Sequence, residues 1–452
     1  MTKKVTAVFD IGKTNKKILL FDPSLKLLWQ KEVEFEEIKD DDGFEGEDIE
    51  RLVNWIKTSL ENLVTGEEYD VETVNFSTYG ATLVFLDEKG NRVTPVYNYL
   101  KPMPEGLLVD FYKNYGGKEE FSRKTASPIL GMLNSGLQIY WLKKTKPKVF
   151  EKVKHILHLP QYLSYLFTGK IISEYTSIGC HTALWDFDKM KYHQWLRDED
   201  ILLPAPVPNE TLFEAEIKGK KVKMGTGIHD SSASLVPYLK LLGARNFILS
   251  STGTWAINMN PFNREPLTSE QLVKDCLCYM SIDREQVKSS RLFLGHIHDL
   301  NVKTIAEYFN EDKSIYKNVK TDRKLLSSIL RMDNIVLFPN GIPADYSIDT
   351  SELKQFSDFR TAYHQLMFEL SAFEAGALDL VNDQDDSVKD IYIIGGFANN
   401  DIFCTLLATF FSDKKVYTAE LYNATALGAA MVVSADSDPF NLELNLEQKA
   451  PL

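Results

Sequence analysis

A duplicated pattern constrains this chain more than any other feature. An apolar, β-rich run, a short polar turn and a returning strand occur over residues 5–22 and again over residues 246–260. The first copy reads as strands at 5–9 and 18–21 around Asp10-Ile11-Gly12-Lys13-Thr14-Asn15-Lys16. The second reads as strands at 246–250 and 255–260 around Ser251-Thr252-Gly253-Thr254. Another pair echoes this one: the run 71–77 enters Ser77-Thr78-Tyr79-Gly80, and the run 390–394 enters Gly395-Gly396-Phe397-Ala398-Asn399-Asn400. Repetition on that scale, without a short period, predicts a duplicated α/β domain rather than a solenoid. The two polar turns would then face one another across a cleft.

The turns carry more chemistry than a hairpin needs, since a turn built for packing alone holds Asn-Gly or Asp-Gly and little else. Gly12 allows close backbone approach to a ligand, and Thr14, Asn15 and the turn N–H groups suit phosphate oxygens. Asp10, closing a buried strand, suits a hydrated Mg²⁺, which takes one or two carboxylates plus phosphate oxygens. A polar hairpin with a solvated lysine tip accounts for the same residues. Thr252, Gly253 and Thr254 offer hydroxyls and N–H groups to a transferred phosphoryl group, or form a plain β-turn. Gly395 and Gly396 let a ring or phosphate lie against the backbone, or serve a strand-to-helix turn needing positive φ. Two further glycines precede His229-Asp230, with a helix expected over 231–241. A carboxylate there can take a proton from a substrate hydroxyl, and Asp230 also suits a helix N-cap. Neither G-x-G-x-x-G nor G-x-x-x-x-G-K-[ST] occurs, which disfavours a dinucleotide fold and a P-loop.

At 452 residues the chain is long enough for two or three domains. Lys+Arg 51 against Asp+Glu 64 gives a net charge of −13, so nucleic acid and membrane surfaces are not expected partners. Four scattered cysteines (Cys180, Cys276, Cys278, Cys404) read as core thiols. No secretory leader pattern or membrane-length apolar run is seen, and a cytoplasmic enzyme or binding protein is expected. Along the chain, a helix is expected over 49–63, and a hairpin joins 81–86 to 92–99 around Asp87-Glu88-Lys89-Gly90-Asn91. Helical pieces are expected from Glu105 onward, over 137–144, 148–155 and 160–168, and over 362–381.

Taken together, in their order along the chain, these motifs resemble the FGGY carbohydrate kinases of the sugar kinase/Hsp70/actin superfamily, over roughly residues 5–435. Asp10-Ile11-Gly12-Lys13-Thr14-Asn15 is similar to the family's first phosphate motif. Ser251-Thr252-Gly253-Thr254-Trp255 is similar to its second, and Gly395-Gly396-Phe397-Ala398-Asn399-Asn400 to its adenosine motif. Ala424-Thr425-Ala426-Leu427-Gly428-Ala429-Ala430 resembles the closing helix of the nucleotide-binding half. The resemblance implies two duplicated actin-like (ribonuclease H-like) α/β domains flanking a catalytic cleft. Residues 1–238 would form the sugar-binding domain and 239–452 the nucleotide-binding domain.

It further implies ATP- and Mg²⁺-dependent phosphorylation of a sugar hydroxyl, with Asp230 as catalytic base and Asp10 as the metal-associated carboxylate. Gly12, Thr14, Asn15, Lys16, Thr252, Gly253, Thr254, Gly395, Gly396, Phe397, Asn399 and Asn400 fall on nucleotide-binding positions. Ser77, Tyr79, Gly80, Ala81, Tyr97, Asn98, His229 and Asp230 fall where sugar contacts are expected. His-Asp at this position resembles the rhamnulose and fuculose kinase branches, which points to a ketose such as L-rhamnulose, L-fuculose or a pentulose. The implied partners are the sugar and ATP, and a homodimer is left open. Lys13, Lys16, Lys17, Tyr79, the segment 96–100 and Phe368-Glu369 depart from the family pattern, and Tyr79 and the segment 96–100 leave the sugar's identity open. A non-catalytic sugar- or nucleotide-sensing homologue is the alternative.

Overall fold

A computed structural model describes residues 2–243, 245–332, 334–434, 442 and 444–452. Residue Ala435, where the family resemblance ends, lies outside them.

Two mixed sheets organise the chain, and five strands of each share one order and sense. In the first, Leu27–Glu34, Asn15–Phe21 and Lys3–Ile11 form an antiparallel meander. Tyr69–Thr78 and Lys220–Gly225 extend it in parallel, and Leu212–Ile217 closes the edge antiparallel. In the second, Gln286–Leu292, Ala256–Asn260 and Phe247–Thr252 form the meander. Asp390–Gly395 and Lys415–Glu420 add in parallel, Asn445–Gln448 closes that edge antiparallel, and Cys276–Met280 extends the meander's far side. The duplication anticipated from four short motifs therefore extends to five strands in each half, and the two antiparallel edge strands are added at different points of the chain. The central strands are buried over most of their length, consistent with their continuous apolar runs.

Local signals set the flanking helices. Ile49–Thr65 buries Ile49, Leu52, Val53, Ile56, Leu60 and Val64 along one face, and the Asp48 carboxylate accepts from Arg51 N at 3.0 Å to cap it. Leu159–Thr168 starts with Pro160 in its first turn and ends at Gly169 with φ 64°. Phe359–Asp379, capped by Asp358, spans the expected long helix.

Three expectations need correction. The 81–86/92–99 hairpin is cut short: its turn closes through the Leu86–Arg92 bridge, with Asp87 N donating to Asn91 O at 2.8 Å and Val93 N to Phe85 O at 3.0 Å, but Leu83–Leu86 takes His155–His158 as its partner strand. Pro95 cannot donate to a ladder, while Ile156 and Leu157 supply the buried partner strand. For the same reason the helix expected over 148–155 shrinks to one turn, Pro147–Phe150, before that strand begins. The helix Ala424–Val433 also differs from a helix serving the nucleotide half alone. Its buried residues cluster with Val8, Leu19, Ile228, Ala233 and Val236 of the first half. Asn75 Nδ2 donates to Ala429 O at 2.8 Å, so this late segment closes the early sheet.

Candidate active site

Strand register brings the two key carboxylates to one edge. Asp10 lies opposite Ser77, and Ser77 lies opposite Ile228, in three parallel strands. The third is interrupted at Thr226-Gly227: Gly227 has φ 80°, and a Cβ there would meet Pro160 at 2.7 Å. After this break Ile228–His229 rejoins the sheet, and Asp230 opens the helix Asp230–Leu241. His229 occupies the cap position without a side-chain cap bond, so Asp230 is the first helical residue rather than the N-cap. Its Oδ1 accepts from Ser231 N at 2.6 Å, and the side chain remains 35% exposed.

Asp10 is pushed up to about 7, first by burial and then by the Asp230 charge, against the opposing pull of Lys17. A pair of facing carboxylates with one distant lysine is a donor set that fits a hard divalent cation held largely through water. The other acidic grouping, Asp40, Asp41 and Asp42, is already engaged: Lys101 reaches Asp40 and Asp42 at 2.6 and 2.5 Å, and Lys146 reaches Asp41 and Asp42 at 2.8 Å each.

Beside Asp230, the buried His229 ring places Nε2 3.1 Å from Cys180 Sγ and 3.2 Å from Asp230 Oδ1. Burial holds this imidazole below its usual range, opposed by the Asp230 charge. Gly80 packs on the same pair, where a Cβ would stand 2.9 Å from Cys180 Sγ and 3.1 Å from His229 Nε2. Ser77 Oγ is buried next to Asp10, whose charged form it stabilises. Ala81 and His181 both hold left-handed backbone, at φ 57° and 40°. Strain of that kind collects at functional sites.

Several anticipated residues have other duties. The Lys16 side chain is buried; its ammonium donates to Lys13 O at 2.8 Å and lies 3.3 Å from Glu47, which accepts from Tyr79 Oη at 3.2 Å. Lys16 thus braces the first turn from behind, while Gly12 N closes it onto Asn15 O at 2.9 Å and Thr14 stays exposed. Asn98 Nδ2 donates to Glu45 O at 2.9 Å. Tyr97 is engaged elsewhere: its ring packs edge-on to Trp141 at 4.8 Å and its hydroxyl donates to Asp41 at 3.3 Å. Tyr79 and Tyr99 meet edge to face at 6.2 Å, with the Lys13 ammonium 5.9 and 5.8 Å from their rings and ion-paired to Glu37.

The second half holds a cavity of about 1200 Å³ that brings together Gly253, Thr254, Gly396, Phe397, Asn399 and Asn400. Gly395, at φ 83°, lies so close to the neighbouring strand that a Cβ would meet Thr252 O at 1.9 Å. Thr252 lies behind the cavity wall: its hydroxyl donates to Ile394 O and accepts from Phe397 N at 3.0 Å, tying the two motifs together. Sequence reasoning missed His298, Asp299, Tyr316 and Tyr363, which line the same cavity. The available signal was Gly295 at the head of the helix Leu294–Tyr308, where a Cβ would collide with Gly253 O at 2.2 Å.

The N-terminal domain model of the FGGY family of carbohydrate kinases matches residues 5–210, and the C-terminal domain model of carbohydrate kinase FGGY matches residues 244–440. The chain belongs to the FGGY family of carbohydrate kinases. Among its FGGY relatives is a rhamnulokinase from Oceanobacillus iheyensis, 22% identical across 85% of this chain and 83% of that protein. Another rhamnulokinase, from Halalkalibacterium halodurans, is 26% identical across 55% of this chain, and the match spans 54% of that relative's length. The FGGY fold is shared with a carbohydrate kinase from Novosphingobium aromaticivorans (TM-score 0.83, 24% identity, covering 100% of this chain and 95% of that one). It is shared as well with a ligand-bound xylulose kinase from Lactobacillus acidophilus (TM-score 0.77, 16% identity, 99% and 94% covered). Among the described residues, no helix is long and apolar enough to cross a membrane.

Proposed function

We propose that this chain transfers the γ-phosphoryl group of ATP to a hydroxyl of a ketose, with L-rhamnulose, L-fuculose or a pentulose as the substrate class. The observation that carries this reading is the Asp10–Asp230 pair at adjoining strand ends. Rhamnulokinase relatives favour the 6-deoxyketoses within that class. Residues 1–238 then act as the sugar-binding domain and 239–452 as the nucleotide-binding domain.

In this reading the sugar lies against Ser77, Gly80 and His229, with its reacting hydroxyl at Asp230, which accepts the proton as the oxygen attacks. Ser77 Oγ, beside Asp10, offers its lone pairs to a sugar hydroxyl. The nucleotide occupies the cavity with its base toward Gly396–Asn399 and its phosphates between Thr254 and the Gly12–Asn15 turn. Asp10 would hold Mg²⁺, which supplies charge neutralisation on the phosphate oxygens. Closure of the two halves excludes water from the transfer.

The test is a coupled ADP-release assay with Mg²⁺ across L-rhamnulose, L-fuculose, D-xylulose, L-xylulose, D-ribulose, glycerol and gluconate. A rate on one ketose that disappears in Asp230→Asn supports the assignment. Turnover retained by that variant removes Asp230 from its role, and silence on every sugar removes the ketose class.

A further inference from the structure

The nucleotide cavity contains a directed chain of hydrogen bonds that ends in an unshared carboxylate. Asn400 Nδ2 donates to Tyr363 Oη at 3.0 Å, and Tyr363 Oη lies 3.2 Å from His298 Nε2. His298 Nδ1 lies 2.9 Å from Asp299 Oδ1. A carboxylate only accepts, so Nδ1 carries a proton and donates it to Asp299, while Nε2 is left to the tyrosine hydroxyl. The His298 ring is further fixed edge-on by Tyr316 at 5.1 Å and Phe397 at 5.3 Å. Asn400 has little left for a ligand, since its Oδ1 accepts from Phe403 N at 3.2 Å and its Nδ2 also approaches Met367 Sδ at 3.9 Å.

Asp299 differs. Its side chain is 76% exposed, and among the described residues its second oxygen has no partner. The other acid lining the cavity, Asp401, already accepts from Thr321 Oγ1 at 2.7 Å. Position along the helix gives the scale. Gly295 abuts Gly253 of the second phosphate turn, and Asp299 stands four residues farther on, about 6 Å along the axis at 1.5 Å per residue. That offset suits the sugar of a nucleotide whose phosphates reach the turn, and a ribose presents two neighbouring hydroxyl donors.

We propose that Asp299, oriented by His298, accepts the ribose hydroxyls of the bound nucleotide and selects ribonucleotides over deoxyribonucleotides. This rests on the reading of the cavity as the nucleotide site. His298 is a positioning residue, acting through Asp299.

Calorimetric titration of the full chain with ADP, 2′-deoxyADP and 3′-deoxyADP, with Mg²⁺ and without sugar, tests it. Hydrogen bonds to a charged group predict that ADP binds about 10- to 100-fold more tightly than the analogue lacking the contacted hydroxyl. Asp299→Ala should bind all three alike, at the wild-type affinity for that analogue. His298→Phe keeps a ring in place but removes the Nδ1 donor, and should lose part of the discrimination. Equal binding of the three ligands by the wild type overturns the ribose assignment alone. So does Asp299→Ala that keeps the discrimination, or that weakens all three ligands equally. Absence of any nucleotide binding by the wild type overturns the nucleotide reading as well.

Discussion

Asp10, next to last in its strand, and Asp230, the residue after the strand Ile228–His229, lie on either side of the same third strand, and the Asp230 charge acts with burial to push Asp10 up to about 7. Two carboxylates in such proximity resist sharing two negative charges, so a cation or a proton must settle between them. The two substitutions should therefore separate. Asp230→Asn should lower kcat by about 10²- to 10⁴-fold with little change in ADP affinity. Asp10→Asn should abolish the rise in melting temperature that Mg²⁺ with ADP gives the wild type. Near-wild-type turnover in the first variant, or an unchanged Mg²⁺ effect in the second, contradicts the respective role.

Lys16 should matter for folding more than for ATP. Its buried ammonium faces buried Glu47 at 3.3 Å, and Tyr79 donates to the same carboxylate. Removing one partner of such a pair strands a charge in the interior, typically at about 3–5 kcal/mol. Lys16→Met should shift the urea midpoint strongly, whereas the Lys16→Met/Glu47→Leu double variant should recover much of the loss. A large rise in the KM for ATP with unchanged stability would assign Lys16 to the ligand instead.

These residues also mark how far the sequence could be read. The duplicated sheet was legible because each half begins with a strand, a polar turn and a returning strand close together in the chain. Glycines at 227 and 395 were legible because each releases a backbone bend beside a chemical group. Pairings distant in sequence were not. Nothing near Leu83 announces His155–His158 as its partner strand, and nothing near Lys16 announces Glu47. His298 and Tyr363 lie 65 positions apart. Each reads alone as an ordinary core aromatic, and only packing of Leu294–Tyr308 against Phe359–Asp379 reveals the pair.

Gly428 sets the distance between the two helices that cross beneath the site. A Cβ at this position would stand 1.9 Å from Ala233 O, three residues beyond Asp230 in the helix Asp230–Leu241. Backbone cannot yield as a flexible side chain can, so Gly428→Ala should push the helices apart. Overpacking of this kind costs about 1–3 kcal/mol, occasionally more. Because the displaced helix carries Asp230 at its head, kcat should fall along with the denaturation midpoint. A variant with wild-type stability and rate would show that the helices separate without strain.

Glu374 gives the fold a pH dependence of its own. It is fully buried in the helix Phe359–Asp379, where burial pushes its carboxyl up to about 8, while Asn258 and Ser250 pull the other way. Ser250 Oγ donates to Oε1 at 3.2 Å, but Glu374 Oε2 and Asn258 Oδ1 are both buried acceptors without a donor. A proton on Glu374 removes an uncompensated charge from this interior. The folded state therefore holds this proton over a range where the unfolded chain, with a carboxyl near 4.5, has released it. Stability contributed by the protonated group is greatest below pH 4.5 and is lost as pH rises toward 8, with a slope of up to about 1.4 kcal/mol per pH unit. Glu374→Gln keeps the shape, carries no charge and removes the titration. Guanidinium unfolding at pH 5 to 8 should show a declining wild-type stability and a flatter profile for the variant, which should be the more stable protein at pH 8. Parallel profiles for the two would mean that Glu374 is ionised in the folded protein, and that another donor reaches its second oxygen.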